Sequence, residues 1–219
     1  MLVKQKGITL IELMVGMVLG LLVTGIAIQM YISTLGITKQ TTETVRLNQE
    51  LRAIADLIVT DSRRAGYWSS AAAGATNPYS VLVSDGAGGG THLNVFDFGS
   101  GTDNCLIMAY ENSSASPTEA IYGYRVSGAV IQMLTVTSYA SGSYADCGTP
   151  SSYSATGSWD DLSDARVVQV ESLAFSLDPA VSWAEASSKS IQISLVGSAT
   201  GDSEVRRQVS EQVRIRNEY

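Results

Sequence analysis

Apolar and polar positions divide this chain into unlike stretches. From Ile8 to Ile32 almost every residue is apolar or small, and the one acid or base in that run is Glu12. A helix of about 25 residues rises roughly 37 Å, enough to cross the hydrocarbon core of a bilayer. From Thr38 polar residues take over, yet helix formers continue through Arg64, and no proline occurs before Pro78. Leu47, Leu51, Ile54 and Ile58 fall at i, i+4, i+7 and i+11, which is one face of a helix. Arg46 with Glu50 and Arg52 with Asp56 stand four apart as opposite charges, a spacing worth a few tenths of a kcal/mol each. Gly66 is the expected stop. The pattern predicts one helix from Ile8 to about Arg64, roughly 85 Å long, with Gly25 and Gly36 as weak points where it bends or loosens.

Beyond Gly66 the period changes. Ala71 to about Gly90 is rich in Ala and Gly and reads as flexible linkage. Gly88-Gly89-Gly90 is no phosphate loop, because no Lys-Ser/Thr follows it. His92–Phe98 and Cys105–Tyr110 read as strands. Glu119–Val126 and Ala129–Val136 flank Ser127-Gly128, a hairpin signal. Ser138 to Ser163 is loop-like. Arg166–Leu177, the run around Ile191, Ile193 and Leu195, and the run through Val205, Val209, Val213 and Ile215 are further strands. Arg207 and Glu211 interrupt the apolar face of the last one. Strands joined by short turns after one long helix predict an α+β fold: an antiparallel sheet with the helix packed on one side.

A carboxylate inside a membrane-length run costs roughly 2.5–3.5 kcal/mol on insertion scales, so Glu12 needs an explanation. A secretory signal peptide fits poorly: the run is too long, holds a charge, and ends in no Ala-x-Ala-like site. A plain anchor accounts neither for Glu12 nor for the face Glu12, Gly16, Gly20, Thr24 at four-residue spacing. Small residues at that spacing let another helix approach closely. Lys4 and Lys6 before the run keep the N-terminus cytoplasmic and send the remainder across the membrane.

The net charge of −7 argues against non-specific nucleic-acid binding, with Arg63-Arg64 and Arg206-Arg207 as local basic exceptions. Cys105 and Cys147 lie far from the apolar run. In an exported domain an even count favours one disulfide over two buried thiols, contributing on the order of 3–4 kcal/mol for a loop of this length.

The segment Lys6-Gly7-Ile8-Thr9-Leu10-Ile11-Glu12-Leu13 resembles the class III signal of type IV prepilins and type II secretion pseudopilins. The resemblance implies cleavage by a prepilin peptidase between Gly7 and Ile8 and N-methylation of Ile8, where the family usually has Phe. It implies that Glu12 pairs with the N-terminal amine of a neighbouring subunit during assembly. Asp61 followed by Arg63-Arg64-Ala65-Gly66-Tyr67-Trp68, and the terminal Val213-Arg214-Ile215-Arg216-Asn217, resemble patches of PilW-type minor pilins. A pilin-like fold follows, divided into a leader (1–7), a transmembrane or filament-core helix (8–32), its amphipathic continuation (33–66) and an exported β-rich domain (67–219). Tyr67 and Trp68 are expected to pack over the helix end.

Nothing points to an enzyme. His92, the single histidine, has no partner motif, and Gly-x-Ser-x-Gly, His-Glu-x-x-His and Cys-x-x-Cys are absent. Asp160-Asp161-Leu162-Ser163-Asp164 lacks the glycine and distal glutamate of a calcium loop and reads as a solvated acidic turn. No catalytic residue, metal or cofactor is predicted. The expected function is that of a minor pilin in type IV pilus assembly, held in the bacterial inner membrane with its C-terminal domain periplasmic, then carried to the cell surface. Expected partners are other minor and major pilins, the prepilin peptidase and a tip adhesin. Alternatives are a minor pseudopilin of type II secretion, or a filament-tip module binding glycan or DNA through the Ser/Thr/Tyr-rich loop from Ser138 to Tyr153.

Overall fold

The computed structural model describes residues 7–69, 77–81, 83–84, 90–99, 101, 103–111, 121–139, 147, 155–178 and 190–215. Helix α1 spans Leu10–Arg64 without interruption, through both Gly25 and Gly36. Ile8 and Thr9 precede it rather than belonging to it. By contact density the chain forms two units, Met1–Glu43 and Thr44–Tyr219.

In the second unit the predicted stripe is the buried one: Leu47, Leu51, Ile54 and Ile58 are all in the core. The helix ends where expected. Gly66 has φ 73°, a conformation that costs other residues steric strain, and its N–H donates to the Ala109 carbonyl at 2.8 Å. The expected ion pairs Arg46–Glu50 and Arg52–Asp56 do not form. Glu50 instead accepts the backbone N–H of Asp164 at 3.1 Å, and the helix closes Lys39–Glu43 at 3.7 Å. Such exposed pairs are weak enough for any better acceptor role to win.

Among the described residues the single expected sheet is two larger sheets and one two-residue pair. Strands β3 (Leu93–Phe96), β4 (Cys105–Ala109), β5 (Ile121–Ser127), β6 (Val130–Tyr139) and β7 (Ala155–Asp161) form a five-stranded antiparallel meander in that order. Strands β8 (Val168–Asp178), β9 (Ser190–Ala199) and β10 (Asp202–Arg214) form a three-stranded meander. β7 lies in the stretch expected to be loop, where polar Ser, Gly and Asp hide its pattern. The Gly/Ala-rich stretch also holds structure: a 3-10 turn at Pro78–Val81 and a two-residue pair, β1 (Val83–Ser84) with β2 (Gly90–Thr91). The predicted hairpin turns at Gly128 and Ala129, with φ 60° and 65°, so Ala129 is turn rather than strand.

One core joins the helix stripe to Leu106, Met108, Tyr124 and Ile131 of the five-stranded sheet and to Val168, Phe175, Ile193, Leu195 and Val213 of the three-stranded one. Gly197 admits Leu51: a Cβ there would meet Val168 Cγ2 at 2.9 Å and Leu51 Cδ2 at 3.2 Å. The α+β expectation is met. β4 is buried throughout, and its alternate residues Cys105, Ile107 and Ala109 enter a second cluster with Tyr79, Ile121, Leu134 and Cys147.

Within that cluster Cys105 and Cys147 are joined by a disulfide across 42 residues, with both side chains buried. Replacing both by alanine is expected to lower unfolding free energy by about 3–4 kcal/mol. Urea unfolding of the full chain in detergent, followed by tryptophan fluorescence, checks this. An unchanged midpoint would deny the bridge a stabilising role.

Candidate functional site

The first unit is a helix with nothing packed on it among the described residues. Ile8 is 76 % exposed, and large apolar side chains from Leu10 to Ile37 stand open on every side. It is long and apolar enough, by length and composition, to cross a membrane. Its start is capped. Thr9 accepts the Glu12 N–H both at its carbonyl (3.1 Å) and at Oγ1 (3.3 Å), and the Leu13 N–H at its carbonyl (3.2 Å). Thr9-Leu10-Ile11-Glu12 is a Thr-x-x-Glu capping pattern, a signal that stands in the sequence itself. It places the Glu12 carboxylate in the first turn, where the helix dipole favours negative charge.

Gly7 precedes the helix. Gly16 and Gly20 leave open space: a Cβ at either would meet no atom within 4 Å. The Thr24 hydroxyl donates to the Gly20 carbonyl at 2.8 Å. Thr34, Thr38, Thr41 and Thr42 likewise return their hydroxyls to carbonyls four residues earlier, at 2.8–2.9 Å. Polar groups satisfied within the helix carry little penalty in hydrocarbon. Lys4 and Lys6 lie outside the described residues.

In the second unit the chemistry-bearing residues are absorbed into structure. Asp61 is 6 % exposed. It accepts the Tyr110 hydroxyl at 3.0 Å on one oxygen and the Tyr124 hydroxyl at 2.5 Å on the other. Tyr110 stacks on Tyr122 with centroids 4.5 Å apart, and the Arg64 guanidinium lies 4.4 Å over the Tyr110 ring. The patch expected to mark a family is therefore a lock between helix end and sheet. Its aromatic neighbours separate: Trp68 packs against the disulfide cluster, but Tyr67 stays 45 % exposed, not packed over the helix end as expected. The chain leaves the helix beside β4, where Tyr67 O accepts the Glu111 N–H, and this direction turns Tyr67 outward.

His92 is buried in the strand region. The acidic run faces solvent at Asp160 and Asp161, as expected, but it begins in a strand rather than a turn. Asp160 and Asp161 end β7, where Asp161 accepts from Gln132, and Asp164 pairs with Arg166 at 3.0 Å. Hydrogen bonds from Arg166 hold the Asp164 carboxyl below its ordinary value. No group of three or more His, Cys, Asp and Glu side chains suited to a metal occurs among the described residues. The loop from Ser138 to Tyr153 lies mostly outside the described residues, as do Arg216 and Asn217.

Burial, then the charge of Asp61 and the hydrogen bonds to it, push the Tyr110 and Tyr124 hydroxyls well above the usual tyrosine range. A folded-state value above the unfolded one means this contribution is whole below about pH 10 and is lost as pH rises beyond it. Unfolding free energy is expected to fall above that pH, and to fall less steeply in Tyr124→Phe. Asp61→Ala is expected to cost on the order of 3 kcal/mol at neutral pH, since it leaves two buried hydroxyls without their acceptor. Urea midpoints measured across the alkaline range check both.

The family described as prepilin peptidase-dependent protein B (PpdB) matches residues 40–215. The prokaryotic N-terminal methylation motif matches residues 2–28. No curated protein and no solved structure is significantly similar to the chain. The two family matches together take in both the exposed apolar helix and the helix-and-sheet domain. The chain belongs to the prepilin peptidase-dependent protein B family and is a pilin-type subunit bearing the N-terminal methylation signal.

Proposed function

We propose that the chain is a minor pilin that takes part in assembling a type IV pilus. The observation that carries this reading is the apolar helix, open on all sides, with Glu12 in its first turn. Residues 1–7 are the leader. The peptidase cuts between Gly7 and Ile8, and Ile8 becomes the methylated N-terminus. Residues 8–32 span the inner membrane and then enter the filament core, 33–66 continue the helix, and 67–219 form the periplasmic domain. Glu12, in lipid or in a filament core, is neutralised best by a cation, and the new amine of a neighbouring subunit is the nearest kind available. Gly16, Gly20 and Thr24 give the neighbouring helix a close approach. The Asp61 to Tyr67 patch and the Val213-to-Ile215 end support the pilus over a secretion pseudopilus.

Glu12→Ala is expected to leave membrane insertion intact. Its recovery in sheared surface filaments should fall by an order of magnitude or more, because removing one partner of a buried pair costs about 3–5 kcal/mol. Fractionation with an immunoblot of sheared filaments measures this, and wild-type recovery would defeat the pairing. Deletion of the gene is expected to remove surface pili. Intact pili with failed exoprotein secretion would move the chain to the secretion machine.

A further inference from the structure

One edge of the three-stranded sheet, that of β8, is bonded to turns of the rest of the domain at Val168, Val170 and Phe175. Val168 N–H donates to the Asp164 carbonyl at 3.0 Å, Val170 N–H to Ala129 at 2.9 Å, and Phe175 N–H to Asp103 at 2.7 Å. These bonds show which residues of β8 turn their main chain away from β9. The β8–β9 register slips between Val170 and Ser172, then runs evenly with Leu173 opposite Leu195 and Phe175 opposite Ile193. In an antiparallel pair the outward-facing residues alternate. Since Phe175 faces outward, so does Leu173. Its N–H and C=O meet no hydrogen-bond partner among the described residues, although Leu173 is only 3 % exposed.

A cavity of about 480 Å³ lies at this gap. Gly99, Gly101 and Asn104, beside Asp103, form one end. Ser127 and Gly128, beside Ala129, form the other, and Ser172–Ala174 the wall between. Its size is that of a small-ligand pocket. Phe98, Val126 and Leu173 make it partly apolar. Asn104 is held in place by Phe98, whose N–H donates to its Oδ1 at 2.7 Å and whose carbonyl accepts from its Nδ2 at 2.8 Å, which leaves its second amide hydrogen. Glu171 is engaged by Arg206 at 2.5 Å. What the cavity offers is a main-chain donor and acceptor on one residue, between walls of glycine that admit another backbone.

We propose that this gap is a binding site for an extended, uncharged peptide segment of a partner protein, which pairs with Leu173 by strand addition. One residue of an antiparallel segment supplies both a carbonyl for the Leu173 N–H and an N–H for its carbonyl. Its side chain meets Val126 and Phe98, so a small apolar residue fits there. A basic side chain gains little, because Glu171, the carboxylate among the described lining residues, already holds Arg206. The proposal is independent of which filament the subunit joins.

The test uses the full chain in detergent micelles, labelled for amide NMR, with acetyl-Thr-Val-Thr-amide as the probe. The expected result is a saturable shift of the Leu173 amide resonance, with affinity in the millimolar range that so few contacts give. Ser172→Trp fills the gap and should weaken binding by roughly tenfold or more, while Ser172→Ala keeps it. Ser127→Trp, from the opposite wall, replaces the first variant if that one does not fold. No shift at Leu173, or equal binding by the folded Trp variant, overturns the proposal. An equal response to N-acetylglucosamine also overturns it, assigning the site to acetamido groups at large.

Discussion

Leu47, Leu51, Ile54 and Ile58 are shared by two sheets that do not continue into one another. Burying each fully is worth roughly 1.5–3 kcal/mol. Four together rival the whole stability of an ordinary domain, about 5–15 kcal/mol. Neither sheet has another helix to cover its inner face among the described residues, so the stripe is what makes one domain of two meanders. Gly197 is part of the same constraint. Leu51 lies where a side chain on β9 would otherwise stand. The β8 edge then has to be closed by turns of the other sheet, and Asp164, Ala129 and Asp103 supply the carbonyls.

The same helix meets a different requirement before Thr44. Up to Ile37 apolar side chains stand around the full circumference, and the threonine hydroxyls from Thr24 to Thr42 are returned to the helix's own backbone. Lys39 and Glu43 answer each other. Glu12 remains as the charge in that half with no opposite charge beside it among the described residues. In water this would mean little. In hydrocarbon it is a deficit of several kcal/mol that a neighbouring cation removes, which is why the proposed function rests on Glu12 rather than on the apolar surface around it.

The helix was legible almost entirely because its two periodicities, apolar all round and then apolar at i, i+4, i+7, are strong and long. Strands with alternating apolar residues were legible too. β7 was not, since Ser158, Asp160 and Asp161 are solvent-side residues in a short edge strand, and the apolar contribution reduces to Trp159. The division into two sheets was hidden because period-two alternation says which residues face inward, not which strands are neighbours. The ion pairs on the helix failed for a related reason. Spacing shows that Glu50 can reach Arg46, but the backbone N–H of Asp164, distant in sequence, competes for it. For the candidate site, Gly7, Ile8 and Glu12 were legible as a motif, whereas the Thr9 cap was overlooked although its Thr-x-x-Glu pattern stood in the same segment.

The Asp61-to-Tyr67 patch changes meaning once its contacts are known. Asp61 holds two tyrosine hydroxyls, Arg64 covers Tyr110, Ala65 is buried, and Gly66 takes the turn that lets the chain bond to β4. Each of these four residues serves the junction of helix and sheet. A shared patch of this kind therefore also reports a shared way of ending the helix. Residues that discriminate partners have to be ones the fold leaves free to vary. Tyr67 is such a residue: it adjoins the lock, takes no part in it, and presents an aromatic ring to solvent. An aromatic side chain turned outward at that point adds nothing to the core and leaves its face open to solvent.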